Sequence, residues 1–263
     1  MNERLGSFHM WAQAISSLTL AAILCFLVAP ATCAQDAIPI EILQRTFLIK
    51  NGSEAGTGFT VDYGGKVYLI TARHVAVGLP MTGATIQVWK TDKWEDYRTA
   101  KTLFPSSDDV DIAVFETYER VPKPFQITPA QGSEGGTFGQ AVWFLGYPFG
   151  LESRLTNGQF AFIKRGTMSA VDATNQDAIV LYIDGFNNPG FSGGPIVFWD
   201  FGSHAYRILG VVKGYRPEAA QIEVNGVRAD TNILVNSGIL VGYSIKHAMD
   251  AIEKDQKQSA DTR

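Results

Sequence analysis

Cysteine is all but missing from this chain. Its 263 residues include two, Cys25 and Cys33, and both fall in an N-terminal segment unlike the rest. Beyond residue 34 there is no thiol. That excludes a disulfide scaffold, a thiol nucleophile and a cysteine-ligated metal site, and leaves stability to a packed core. Charge is also sparse, at 18% of residues, and the net charge of −4 lacks the basic surplus that nucleic acid or an anionic membrane surface would require. Long helix-period stretches are scarce, which argues against alternating helices and parallel strands. Histidine is rare enough to be taken one residue at a time.

The chain does have one long apolar run, over 18–28, broken only by Thr19. Arg4 precedes it, Pro30 ends it, and small residues follow through Ala34. This is the order of a secretory signal, so residues 1–34 are expected to be removed on export, leaving a secreted or periplasmic protein with no membrane attachment. The alternative is an uncleaved anchor, since the uncharged stretch 11–32 is just long enough to span a bilayer.

From residue 43 onward, β-branched and aromatic runs alternate with turns such as Gly64-Gly65, Gly135-Gly136, Asn157-Gly158 and Asn225-Gly226. Strands are predicted at 45–50, 57–63, 66–71, 85–90, 98–104, 112–116, 141–147, 159–164, 179–184, 195–199, 206–213 and 239–243. About twelve strands with almost no helix imply closed or stacked antiparallel sheets. The stretch 121–137, with its Pro and Gly, reads as a linker between two strand groups. Ile245, Ala248, Met249 and Ile252 share one helical face, which predicts a C-terminal helix from 245 to about 256 with Ser244 as its cap. No appended binding domain is expected after it.

The chemistry starts at Gly190-Phe191-Ser192-Gly193-Gly194-Pro195. A serine hydroxyl is a weak nucleophile that needs a base and a place for the developing oxyanion, and glycines let the backbone turn its amides inward. His74 stands where the apolar strand 66–71 ends, a rigid place from which to present imidazole. His204 lies in a polar turn, and His247 lies beside Lys246, off the apolar helix face. Asp111 enters an apolar strand between Val110 and Ile112, so its carboxylate needs a partner. Asp108 and Asp109 read as a solvated turn.

Taken together, Thr71-Ala72-Arg73-His74, Asp111-Ile112-Ala113 and the Ser192 hexapeptide resemble the three signatures of trypsin-like (chymotrypsin-fold) serine peptidases, in that family's chain order. Gly146-Tyr147-Pro148-Phe149-Gly150-Leu151, the 165–171 stretch, Asp184 and the 208–212 stretch are similar to the bacterial Deg-type (high-temperature-requirement) branch. The resemblance covers about 43–256. It implies an all-β fold of two antiparallel six-stranded barrels, about 43–125 and 135–244, with the active site between them and a helix to close. It implies a serine endopeptidase acting on a protein or peptide substrate without metal or cofactor. His74 would be the base, Asp111 its orienting acid and Ser192 the nucleophile, with the amides of Gly190 and Ser192 as the oxyanion hole. Phe186, Asn187, Val211, Val212, Lys213 and Gly214 would border the first specificity pocket. Their apolar and small character favours an uncharged side chain, whereas Lys213 would favour an acidic one. Arg73 and Phe191 depart from the family's usual residues.

Two rivals remain. The motif Gly190–Gly194 also fits an α/β-hydrolase elbow, with Ser192, Asp230 and His247 as triad, but Pro195-Ile196-Val197-Phe198-Trp199 reads as a strand where that fold demands a helix. A peptidase-like binding or chaperone module is opposed only by the retention of all three triad residues. Asp200-Phe201-Gly202 and the sequon Asn51-Gly52-Ser53 lack supporting context.

Overall fold

The computed structural model describes residues 37–120, 128–129, 136–156 and 158–261. The expected export segment and most of the expected linker lie outside these residues. From Ile38 the chain is one compact unit. A short helix α1 (Ile40–Gln44) leads into six strands: β1 (Thr46–Asn51), β2 (Glu54–Tyr63), β3 (Lys66–Thr71), β4 (Thr85–Lys90), β5 (Lys93–Leu103) and β6 (Ala113–Arg120). They close into an antiparallel barrel in the order β1-β2-β3-β6-β5-β4.

The second half comprises β7 (Thr128–Pro129), β8 (Ala141–Gly146), β9 (Ser153–Leu155), β10 (Gly158–Phe160), β11 (Phe162–Asp172), β12 (Val180–Asp184), β13 (Pro195–Asp200), β14 (Ala205–Val224) and β15 (Val227–Ser244). Six of these form one sheet, β13-β8-β11-β12-β15-β14, and a β13–β14 pairing joins its ends into a ring. β7 adds to β14 in parallel, while β9 and β10 make a separate hairpin. Helix α2 (Lys246–Asp261) closes the fold.

Strand β3 shows why apolar runs need not alternate here. Leu69 belongs to the interior cluster of the first barrel with Ile49, Ile86, Val88 and Phe115. Tyr68 and Ile70 face the other way, into a larger cluster that takes in Phe144, Val197 and Ile252. Both faces of β3 are buried, and each such side chain contributes roughly 1.5–3 kcal/mol of transfer free energy.

Three sequence expectations need correction. The strand expected at 159–164 is divided at Ala161 between β10 of the hairpin and β11 of the large sheet. The strands expected at 206–213 and 239–243 are far longer, because β14 and β15 continue as a two-stranded ribbon to a turn at Asn225 and Gly226, whose positive φ values of 54° and 78° suit that pair. His247 is not off the buried face. It is 4% exposed, and its Nε2 accepts the Ile179 N–H at 2.8 Å. Burial lowers the imidazole pKa, which keeps that acceptor unprotonated.

Candidate active site

His74 sits on a single 3-10 turn, Arg73–Ala76, directly after β3. Two contacts orient it against Asp111, which precedes β6. The imidazole Nδ1 lies 2.7 Å from Asp111 Oδ2, and the His74 backbone N–H donates to Oδ1 at 2.9 Å. With Nδ1 carrying the proton toward a carboxylate, Nε2 is left as an acceptor. The hydrogen bond to Asp111 raises the imidazole pKa above 6.5, against the opposing pull of burial. Burial pushes the Asp111 carboxyl upward, but the hydrogen bonds and charge of His74 outweigh it, and the pKa falls below its usual value.

The second sheet brings Ser192 to this pair on a loop between β12 and β13. The hydroxyl donates to the Lys213 carbonyl at 3.0 Å rather than to the imidazole. The loop amides divide into two groups. Those of Phe191, Gly193 and Gly194 are taken by Asn188 O, Val212 O and Phe191 O, whereas those of Gly190 and Ser192 have no acceptor among the described residues. Gly190 has φ +103°, and a Cβ there would lie 2.1 Å from Tyr147 O. Gly193, at φ +83°, would meet Thr57 O at 2.2 Å. Glycine is therefore required at both positions by backbone angle and by space.

A cleft of about 520 Å³ joins these parts, with His74, Asp111 and Ser192 all on its wall. Residues 56–200 match the family described as the trypsin-like peptidase domain. The chain belongs to the trypsin-like peptidases. Among curated proteins, the peptidase is similar to Protease Do-like 1, chloroplastic, of Arabidopsis thaliana: 29% identical over 164 residues, which is 62% of this chain and 33% of that relative. It thus spans about a third of that relative's length. Its fold is like that of the Rv3671c protease from M. tuberculosis in its active form, at 18% identity, TM-score 0.51 and 82% coverage of each chain. It is also like that of the HtrA-type protease AlgW with tripeptide, at 21% identity, TM-score 0.52 and coverage of 81% and 60%.

The cleft of the peptidase takes in half of the residues expected at the specificity pocket. Asn187, Lys213 and Gly214 line it, while Phe186, Val211 and Val212 do not. Val211 and Val212 are fully buried in the core, and Phe186 is exposed with the Lys164 ammonium over its ring. Tyr182, Tyr215, Arg216 and Val241 line the cleft unforeseen. Asp230 is exposed on the ribbon, and with His247 held by Ile179 the α/β-hydrolase triad has no basis. Thr57 of β2 is a further residue that sequence reasoning missed. Its Oγ1 donates to Gly190 O at 2.7 Å and accepts from Tyr147 N at 3.2 Å, and its own N–H donates to Ser192 O at 2.8 Å. One threonine thus ties the first barrel to the Ser192 loop at both Gly190 and Ser192. The only sequence hint was its place in a Gly56-Thr57-Gly58 strand start.

Proposed function

We propose that this peptidase is a serine endopeptidase in which Ser192 attacks a peptide carbonyl, His74 takes its proton and Asp111 holds the imidazole in the working tautomer. The supporting observation is the convergence, in one cleft, of an Asp111-oriented imidazole with a serine whose loop leaves two amides open. Those amides, of Gly190 and Ser192, would hold the oxyanion, a donor pair of which each member is worth roughly 3 kcal/mol in such sites. His74 then returns the proton to the leaving amine, and water frees the acyl group. For attack the serine hydroxyl would leave the Lys213 carbonyl and donate to Nε2 instead.

Substrates are polypeptides, and an uncharged side chain fits the first pocket best. Asn187, Tyr182 and Val241 supply uncharged wall, beside Lys213, whose ammonium lies 3.5 Å from the Tyr243 hydroxyl, and Arg216. Export of residues 35–263 after loss of the signal, to the periplasm or beyond, and kinship with the Deg-type branch complete the reading. Among the described residues no helix is long and apolar enough to cross a membrane.

Labelling with a fluorophosphonate tests the reading, with Ser192→Ala as control. Wild-type protein should label and cleave a peptide library, and the variant should do neither. Unlabelled wild-type protein would instead favour the binding module.

A further inference from the structure

A second cavity, of about 290 Å³, lies between α1, β1, the end of β4 and the β9–β10 hairpin, and the peptide-cleaving residues take no part in it. Four aromatic side chains, Phe47, Trp89, Tyr147 and Phe160, line it beside the polar Gln44, Thr46, Thr91 and Gln159. Trp89 is braced edge-on by Trp94 at 5.1 Å, and the Tyr147 hydroxyl is already committed to Thr46 O at 2.9 Å. One carboxylate lines the cavity, that of Glu152, whose side chain is only 6% exposed.

Glu152 is half satisfied. Its Oε1 receives Arg154 Nη2 at 2.8 Å and Gln159 Nε2 at 3.2 Å. Its Oε2 is buried and has no partner among the described residues. A buried carboxylate oxygen without a donor costs several kcal/mol, so such atoms are normally paired. Neither neighbouring donor is to spare, because Arg154 also holds Asp92 at 3.0 Å and Gln159 also holds it at 2.9 Å. Two carboxylates thus share one guanidinium. Lys90, the lining residue of positive charge, is over the Tyr97 ring at 5.6 Å. Burial, and after it the Glu152 charge, drive the phenol of Tyr147 upward. Aromatic faces beside a lone acceptor oxygen suit a cation that also donates hydrogen bonds.

We propose that this cavity binds an organic cation bearing N–H groups on an apolar stem, an alkylammonium or alkylguanidinium, with Glu152 Oε2 as its acceptor and Phe47, Trp89 and Phe160 as its walls. An N–H-free cation lacks the donor that Oε2 requires, and a neutral alcohol lacks the charge. The cavity is large enough for a lysine or arginine side chain and too small for a folded partner to enter further.

Titration of the full chain carrying Ser192→Ala tests this, followed through the Trp89 indole N–H resonance. The probes are n-butylguanidinium, n-butylammonium, tetramethylammonium, n-butanol and an acetylated, amidated Gly-Arg-Gly peptide. The first two should bind with a Kd of about 1 mM or tighter, and tetramethylammonium and butanol at least tenfold more weakly. Glu152→Gln, which keeps shape and a hydrogen-bonding amide, should weaken n-butylguanidinium at least tenfold. Lys90→Gln should tighten it by removing a like charge. Binding of the peptide as well assigns the ligand to a polypeptide side chain, whereas binding of the small cations alone assigns it to a free amine, and both support the site. The proposal is overturned if no cation shifts the resonance at about 100 mM, or if butanol and n-butylguanidinium bind alike. It is likewise overturned if the folded Glu152→Gln protein binds as tightly as the parent. Any of these would mean that Oε2 is met by water alone.

Discussion

Replacing Gly190 by alanine should silence catalysis while leaving substrate binding nearly intact. The added Cβ would lie 2.1 Å from Tyr147 O and 3.0 Å from Phe149 N. Ordinary carbon contacts begin near 3.5 Å, so the group must retreat by more than about 1 Å. The backbone angle compounds this, because φ +103° is one that a side chain rarely adopts, at a cost of about 1–3 kcal/mol. The neighbouring peptide has to rotate, and the amide that would receive the oxyanion leaves its place. Loss of one such donor lowers kcat by about 10²–10³. KM should change by less than about threefold, since the oxyanion exists only beyond the ground state. Gly139→Ala is the matched control. It has φ +80° with open space around it, so it carries the backbone penalty without the collision. It should lower Tm and leave kcat alone. Steady-state kinetics on a peptide substrate, with Tm for each variant, would read both. A Gly190→Ala protein that keeps kcat within about threefold of wild type would refute the assignment of this amide.

Asp111→Asn should lower kcat by about 10⁴, with the fold retained. Its pH profile separates tuning from packing. In the wild type, the hydrogen bond to Asp111 raises the His74 pKa, so the acid limb of kcat/KM lies above pH 6.5 and activity is lost as pH falls through it. In the variant that bond to an anion is gone, burial becomes the largest remaining influence and, with the Lys213 charge, pulls the pKa down against the Glu54 charge, so the limb should move to lower pH. The same shift gives folding stability that is full below pH 6.5 and is lost as pH rises through the folded-state pKa. His247 has the opposite sign. Its lowered pKa means stability is full above pH 6.5 and falls as pH drops below it. His247→Leu should cost about 1–3 kcal/mol, by stranding the Ile179 N–H, and should flatten that acid-side loss of Tm. Thr57→Val keeps the backbone bond to Ser192 O but loses both hydroxyl contacts. It should lower kcat roughly tenfold and stability by about 1–3 kcal/mol, with both restored by Thr57→Ser.

Much of this was legible before any coordinates, for identifiable reasons. His74, Asp111 and Ser192, which line one cleft, were singled out by the resemblance of their motifs to the family together with their places beside apolar strands, and glycine at 190 and 193 announced a backbone that no side chain tolerates. The ribbon was not legible. Residues 216–223 and 228–236 have solvent on both sides, so period-2 alternation is not sustained along them, and Glu218, Ala219, Asp230 and Asn232 carry no strand preference. Val211 and Val212 were placed in the pocket by analogy, but their side chains complete the core, and Lys213 offers its backbone carbonyl. The Glu152 cavity draws on five separate stretches of chain, and no local pattern marks it.

The rotamer of Ser192 has a consequence for how the base and nucleophile work together. Its loop is held from three sides: by Thr57, by the Phe149 N–H on Pro189 O at 2.8 Å, and by the Gly193 N–H on Val212 O at 2.7 Å with the Val212 N–H on Gly194 O at 2.9 Å. The hydroxyl is what can turn. Moving it from the Lys213 carbonyl to Nε2 exchanges one hydrogen bond for another, each worth about 0.5–1.5 kcal/mol net, so neither position dominates on that ground. The charge of His74 decides between them. A protonated imidazole has no lone pair at Nε2 and leaves the hydroxyl on the carbonyl, whereas a neutral one competes for it. Under the proposed mechanism, by raising the His74 pKa Asp111 would set both the pH at which the base becomes competent and the pH at which the nucleophile is aligned. Fluorophosphonate labelling of Ser192 should then follow the same titration as kcat/KM. A labelling rate indifferent to pH between 6 and 8, with His74 seen by NMR to titrate in that range, would uncouple the two and refute this account.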